Sequence, residues 1–191
     1  LKNERKSFII IMRTTIFYAS KYGTTARIAK EIADLISIHD QVQLLNIDDP
    51  SQVIIPDLYT PERFVLGVPI YAGKPILSMK KFCEAYTFKL EEKPLYLFVC
   101  GMEPSLERQQ IEIEAAFSQR LRNAAQELAY LGGAFLWERM NFVERFIIKH
   151  KTGRKGDMEN IRHRAIKRFA QRIIDDILKE NQLAEVESVG P

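Results

Sequence analysis

Cysteine is scarce in this sequence: Cys83 and Cys100 are the only two, and no C-x-x-C joins them. That excludes a disulfide framework and a redox dithiol, leaving two buried thiols in a reducing, cytosolic setting as the expectation. Histidine is nearly as rare, and His39, His150 and His163 show no metal-ligand spacing, so no metal site is expected. No apolar run approaches the ~20 residues that cross a bilayer. The stretch Phe8-Ile9-Ile10-Ile11-Met12 is too short for a signal-peptide core, and no cleavage site follows it. Neither G-x-G-x-x-G nor a Walker Lys-Ser/Thr pair occurs, which disfavours dinucleotides and ATP. No Ser/His/Asp or paired-carboxylate arrangement stands out, and repeats and low-complexity stretches are missing.

What remains reads as one globular domain of 191 residues, 46% hydrophobic and 28% charged. Met12-Arg13 reads as a natural start, so residues 1–11 are expected to be an extra N-terminal extension. Residues 12–180 form the domain, and the polar 181–191 tail is expected to fray. The net charge of +3 is unevenly spread. Residues 138–172 hold 11 Lys and Arg against 4 Asp and Glu, a local +7, and the rest of the chain carries −4. Such asymmetry suits contact with something anionic. No nucleic-acid-binding motif accompanies it, so nucleic acid is not the expected partner.

Apolar runs predict strands over 14–19, 42–47, 63–68, 95–100 and 127–135. Helical spacing predicts helices over 24–37, 75–86, 105–121 and 160–179. Pro75 suits a first helical turn, and Asp48-Asp49-Pro50 marks a turn. Strands that are apolar throughout, alternating with helices, predict an α/β fold with a parallel sheet covered on both faces.

Ser20-Lys21-Tyr22-Gly23-Thr24-Thr25 joins the first strand to a helix with Ile28, Ile32, Leu35 and Ile36 on one face. First-turn N–H groups lack intrahelical partners, and the helix dipole adds positive potential there. With three hydroxyls and a glycine, the loop suits a single phosphate. A turn that merely caps the helix is the alternative. The loops Pro69-Ile70-Tyr71-Ala72-Gly73-Lys74 and Cys100-Gly101-Met102 end the third and fourth strands.

Tyr18-Ala19-Ser20-Lys21-Tyr22-Gly23-Thr24-Thr25 resembles the FMN-phosphate loop of the flavodoxin superfamily, T/S-x-T/S-x-G-x-T, with Lys21-Tyr22 in place of small hydroxyl residues. The resemblance implies a flavodoxin-like, doubly wound, five-stranded parallel sheet of order 2-1-3-4-5, with the ligand crevice between strands one and three. It implies FMN as cofactor, its phosphate on residues 20–25. Its ring would lie between Pro69–Lys74, with Tyr71 on the flavin and Gly73 leaving the backbone mobile, and Cys100–Met102. For Tyr71 a surface aromatic is the alternative; for Lys74 a solvated lysine. The flavin would do the redox chemistry, with no catalytic side chain.

Within that superfamily, the segment 136–159 is similar to an insertion of the menaquinone-dependent protoporphyrinogen oxidases. Their Asp/Glu-Arg-Phe-x-Ile-Lys pattern reads here Glu144-Arg145-Phe146-Ile147-Ile148-Lys149. The Tyr-Asp-Trp-like segment of the best-known members is missing after it. Phe142, Val143, Phe146 and Ile147 share a helical face amid basic residues. Arg139, Arg145 and Lys149 are the candidates to meet a porphyrinogen's carboxylates, a quinone-bearing partner or the inner face of a membrane. A helix that buries this face on its own sheet is the alternative. An electron carrier without its own substrate is the second functional reading, and a binding protein that lost the cofactor the third.

Overall fold

The computed structural model describes residues 13–51, 57–153 and 155–188. The expected extension over 1–11 lies outside them. β1 (Arg13–Tyr18) leads through a loop into α1 (Thr24–Ile36), then β2 (Gln41–Asn46) and β3 (Arg63–Tyr71). β4 (Lys74–Pro75) folds back on β3. α2 (Leu77–Leu90), β5 (Leu95–Cys100), α3 (Leu106–Ala116), α4 (Gln119–Ala124) and β6 (Ala125–Tyr130) follow. Then come β7 (Gly132–Phe135), a 3-10 turn Trp137–Arg139, α5 (Phe142–Thr152), β8 (Met158–Ile161) and α6 (His163–Ser188).

The five parallel strands run β2-β1-β3-β5-β6, the order 2-1-3-4-5 expected when they are counted alone. In register, Phe17 of β1 lies between Leu45 of β2 and Leu66 of β3. Alternate side chains feed two cores. Ile16, Val65, Tyr96 and Phe98 pack with α1 and α6, whose Ile28, Ile32, Phe169 and Ile173 are fully or almost fully buried. Phe17, Phe64, Leu66, Leu97 and Val99 pack with α2, α3 and α4. Each fully buried isoleucine or leucine is worth about 1.5–3 kcal/mol, which is why strands covered on both faces carry no polar alternation.

Several boundaries differ from the sequence reading. Pro75 pairs in β4 rather than opening a helix, and α2 starts at Leu77 and runs to Leu90. The single helix expected over 105–121 is two. Phe117 is extended and buried, and Ser118 caps α4 by accepting from the Leu121 N–H. The strand expected over 127–135 breaks at Leu131. β6 stays in the parallel sheet, while β7 pairs antiparallel with β8 in a separate ribbon. Residues 160–161 belong to β8 rather than the last helix. The tail expected to fray is helical through Ser188; residues 189–191 lie outside the described residues.

Candidate functional site

The C-terminal ends of β1, β3 and β5 converge where the strand order reverses, between β1 and β3. β1 leads on into Ala19-Ser20, and Gly23 caps α1 with φ +94°, a left-handed conformation open to glycine. The Ser20 hydroxyl accepts from the Gly23 N–H at 3.1 Å and the Ala26 N–H at 3.3 Å. One hydroxyl oxygen thus already answers the donors at the start of α1. Thr24 is 8% exposed, and its hydroxyl is buried without a hydrogen-bond partner. An orphaned buried hydroxyl costs about 1–3 kcal/mol, so its position at a helix N-terminus points to a missing polar ligand. Thr25 lines the same cavity, but its hydroxyl is directed to the Cys100 sulfur. Burial pushes the Cys100 thiol up to about 12, against the pull of Thr25, so this sulfur stays protonated and inert.

The second loop is a β-hairpin rather than an open loop. Ala72 and Gly73 form its two-residue tip with φ +51° and +78°, the positive values a primed turn requires. Ala72, Gly73 and Lys74 are exposed on that tip and do not line the cavity between the loops. Gly73 therefore serves the turn's geometry rather than a movable contact to a ligand. Pro69, Ile70 and Tyr71 do face the cavity. The Tyr71 hydroxyl accepts from the Lys21 N–H at 2.9 Å and so ties the second loop to the first. Burial pushes this phenol up to about 12, against the pull of the Lys21 and Tyr22 N–H groups. Its ring meets Tyr22 edge-on at 5.3 Å.

Gly101 and Met102 form the third wall. A Cβ on Gly101 would lie 2.0 Å from the Tyr130 hydroxyl, which donates to the buried Glu112 carboxylate at 2.7 Å. The same hydroxyl accepts from the Glu103 N–H, so the loop's backbone is held from behind.

A fourth wall escaped the sequence reading: Gly133, Ala134, Phe135 and Met140. The Gly101 N–H donates to the Gly132 carbonyl at 3.1 Å, bringing β7 beside the third loop. Its signal was Gly132-Gly133-Ala134, small residues that allow backbones to meet. Tyr22 and Met140, with Tyr71, Phe135, Leu136, Trp137 and Met158 against them, form an apolar cluster over the cavity. The enclosed volume is about 30 Å³, room for roughly one water.

Arg139, though exposed, and the half-buried Arg145 are both tied to backbone carbonyls rather than left free in solvent. Arg139 Nη1 donates to the Tyr22 carbonyl at 2.9 Å. Arg145 donates to the carbonyls of Trp137, at 2.8 Å, and Glu138, at 3.1 Å, which fixes the 3-10 turn. Lys149 is exposed. Phe142, Val143 and Phe146 on α5 are 86%, 64% and 66% exposed, so these three do not bury themselves on the sheet. The Ile147 side chain lies outside the described residues. No metal-holding cluster occurs among the described residues, and no helix there is long and apolar enough to cross a membrane.

The sequence matches a flavodoxin domain family over residues 15–160. The chain belongs to that family. Among solved structures, this flavodoxin domain is similar to a short-chain flavodoxin associated with a PDU bacterial microcompartment. The TM-score is 0.59 at 15% identity, over 87% of this chain and 99% of that one. A flavodoxin from the domain Archaea gives 0.52 at 16% identity, over 90% and 99%. Rubredoxin oxygen:oxidoreductase from the anaerobe Desulfovibrio gigas gives 0.54 at 12% identity, over 89% of this chain and 37% of that one. The flavodoxin domain thus spans little more than a third of that oxidoreductase. At these identities the likeness is one of fold. A search of curated proteins finds no match. None of these comparisons singles out the protoporphyrinogen oxidases.

Proposed function

We propose that the protein is an FMN-dependent oxidoreductase. The observation that carries this reading is the buried, unpartnered Thr24 hydroxyl at the N-terminus of α1, inside a cavity walled by the start of α1, the ends of β3 and β5, and β7. A phosphate monoester fits those donors. When bound, FMN supplies hydride or single-electron redox chemistry. The protein's part is to hold and shield it. Thr24 and the first-turn N–H groups of α1 that Ser20 leaves unanswered take the phosphate, while Ser20 and Gly23 shape the turn around it. Pro69, Ile70 and the backbone of Cys100, Gly101 and Met102 keep the ring dry. Admission of the ring requires Tyr22, Tyr71 or Met140 to move, because about 30 Å³ is far below the ~300 Å³ of a small-molecule pocket. Tyr71 enters as a neutral phenol, with a proton held well past neutrality.

The finer reading is quinone-linked oxidation of an anionic substrate of the porphyrinogen type. It rests on the segment between β7 and β8, which closes the cavity with Met140 and presents Phe142, Val143, Phe146 and Lys149 to the outside. Such a surface suits peripheral contact with an anionic, quinone-bearing membrane. Turnover of a porphyrinogen with a menaquinone analogue, with and without anionic vesicles, tests it; FMN-loaded protein without such turnover refutes it. A flavodoxin-type electron carrier is the second reading. It is favoured by this chain's spanning 99% of two solved flavodoxins, and it expects electron exchange with a reductase and no substrate of its own.

A further inference from the structure

We propose that Arg139 is the phosphate-selecting cation of this site, making it specific for a phosphorylated flavin over the uncharged riboflavin. The inference rests on the FMN reading. Arg139 ends the 3-10 turn that follows β7, far along the chain from the first loop. Yet its Nη1 lies 2.9 Å from the Tyr22 carbonyl, and a Cβ on Gly23 would stand 3.0 Å from that same nitrogen. The guanidinium is therefore packed against the residue that opens α1, one position before the unpartnered Thr24 hydroxyl.

Its position is held by its surroundings. The Trp137 N–H donates to Asp157 at 2.7 Å, Arg145 grips the carbonyls of Trp137 and Glu138, and the neighbouring Met140 is buried over Tyr22. The charge is available as well as placed. Among the described residues no carboxylate pairs with Arg139, whereas Arg27, in the first turn of α1, is held by both oxygens of Glu159 at 3.1 Å. A guanidinium offers five donors, and the bond to Tyr22 uses one. Helix-terminal N–H groups alone supply about half a positive charge. A phosphate monoester near neutral pH carries more negative charge than that, and an arginine fork adds both charge and bidentate geometry. A neutral ribityl alcohol gains little from it.

The test compares FMN and riboflavin dissociation constants for the full chain and for Arg139→Gln and Arg139→Lys, at low and high salt. The expected result is a loss of FMN affinity of at least ~10-fold in Arg139→Gln, the size of one charge-assisted hydrogen bond. Riboflavin affinity should change less than about twofold, Arg139→Lys should fall between, and the FMN difference should shrink with salt. Equal loss of both flavins would show a structural role and overturn the proposal. So would unchanged FMN affinity. Wild-type protein that binds neither flavin would remove the FMN reading itself, and this assignment with it.

Discussion

Tyr71 shows how one side chain both forms and closes the candidate site. Its hydroxyl sits on the Lys21 N–H, where a bound phosphate would compete for the same loop. Tyr71→Phe should therefore weaken the closed form by about 1 kcal/mol and tighten FMN binding by up to ~5-fold. A fluorescence titration reads this, and weaker binding would mean that the phenol holds the ligand instead. The same residue fixes a pH effect. A phenol raised from 10.0 to about 12 keeps its proton in the folded protein while the unfolded chain loses it. Its contribution to stability is complete below pH 10 and lost as pH rises through about 12. An absorbance titration of wild type against Tyr71→Phe should show one late-titrating phenol removed. Of the loops expected to meet, Tyr22, Thr24, Thr25 and residues 69–71 do line one cavity, whereas Ser20 caps the turn and Lys21 is exposed, because hydroxyls at a strand–helix turn serve capping and ligand binding alike. Met140 and Phe135 were not legible, because side chains that close a cavity from a distant segment leave no local pattern.

β3 and β5 were legible as apolar runs because both faces of a parallel strand are buried. β8, Met-Glu-Asn-Ile, was not, since a short ribbon strand with exposed Glu159 and Asn160 carries neither periodicity nor length. The break between α3 and α4 was hidden for the opposite reason: Phe117, Leu121 and Ile113 all point to one core, so their spacing imitates a continuous helix. The turn from β5 into the third loop carries the strictest demand. Gly101→Ala would place a methyl 2.0 Å from the Tyr130 hydroxyl and 3.1 Å from Glu112. Separating that buried pair should cost about 1–3 kcal/mol and weaken FMN binding together with stability. Thermal melts with and without FMN check both.

Across the whole molecule, the candidate site and the anchoring network occupy opposite ends of the sheet. At the strand starts, roughly 20 Å from the site at ~3.3 Å per residue, the fully buried Arg63 bonds to Asp40 at 2.6 Å, to Thr14 at 3.2 Å and to Glu180 of α6. Burial holds the Asp40 carboxyl above its ordinary range despite the arginine. This network also explains why α6 continues past the apolar stripe that ends at Ile177: Glu180 is tied to the sheet by a charge that periodicity does not reveal. Arg63→Ala strands a buried carboxylate and should cost about 3–5 kcal/mol, while leaving the FMN dissociation constant of the folded protein unchanged. Denaturant unfolding and flavin titration separate the two effects. The central claim is that the end of β1 and the start of α1 hold a flavin phosphate. The most direct measurement is the absorption spectrum of the protein after incubation with FMN and removal of excess, for wild type and Thr24→Val. The account predicts retained flavin absorbance near ~450 nm in wild type and markedly less in Thr24→Val, at unchanged folded content. Wild-type protein that emerges without flavin would contradict it.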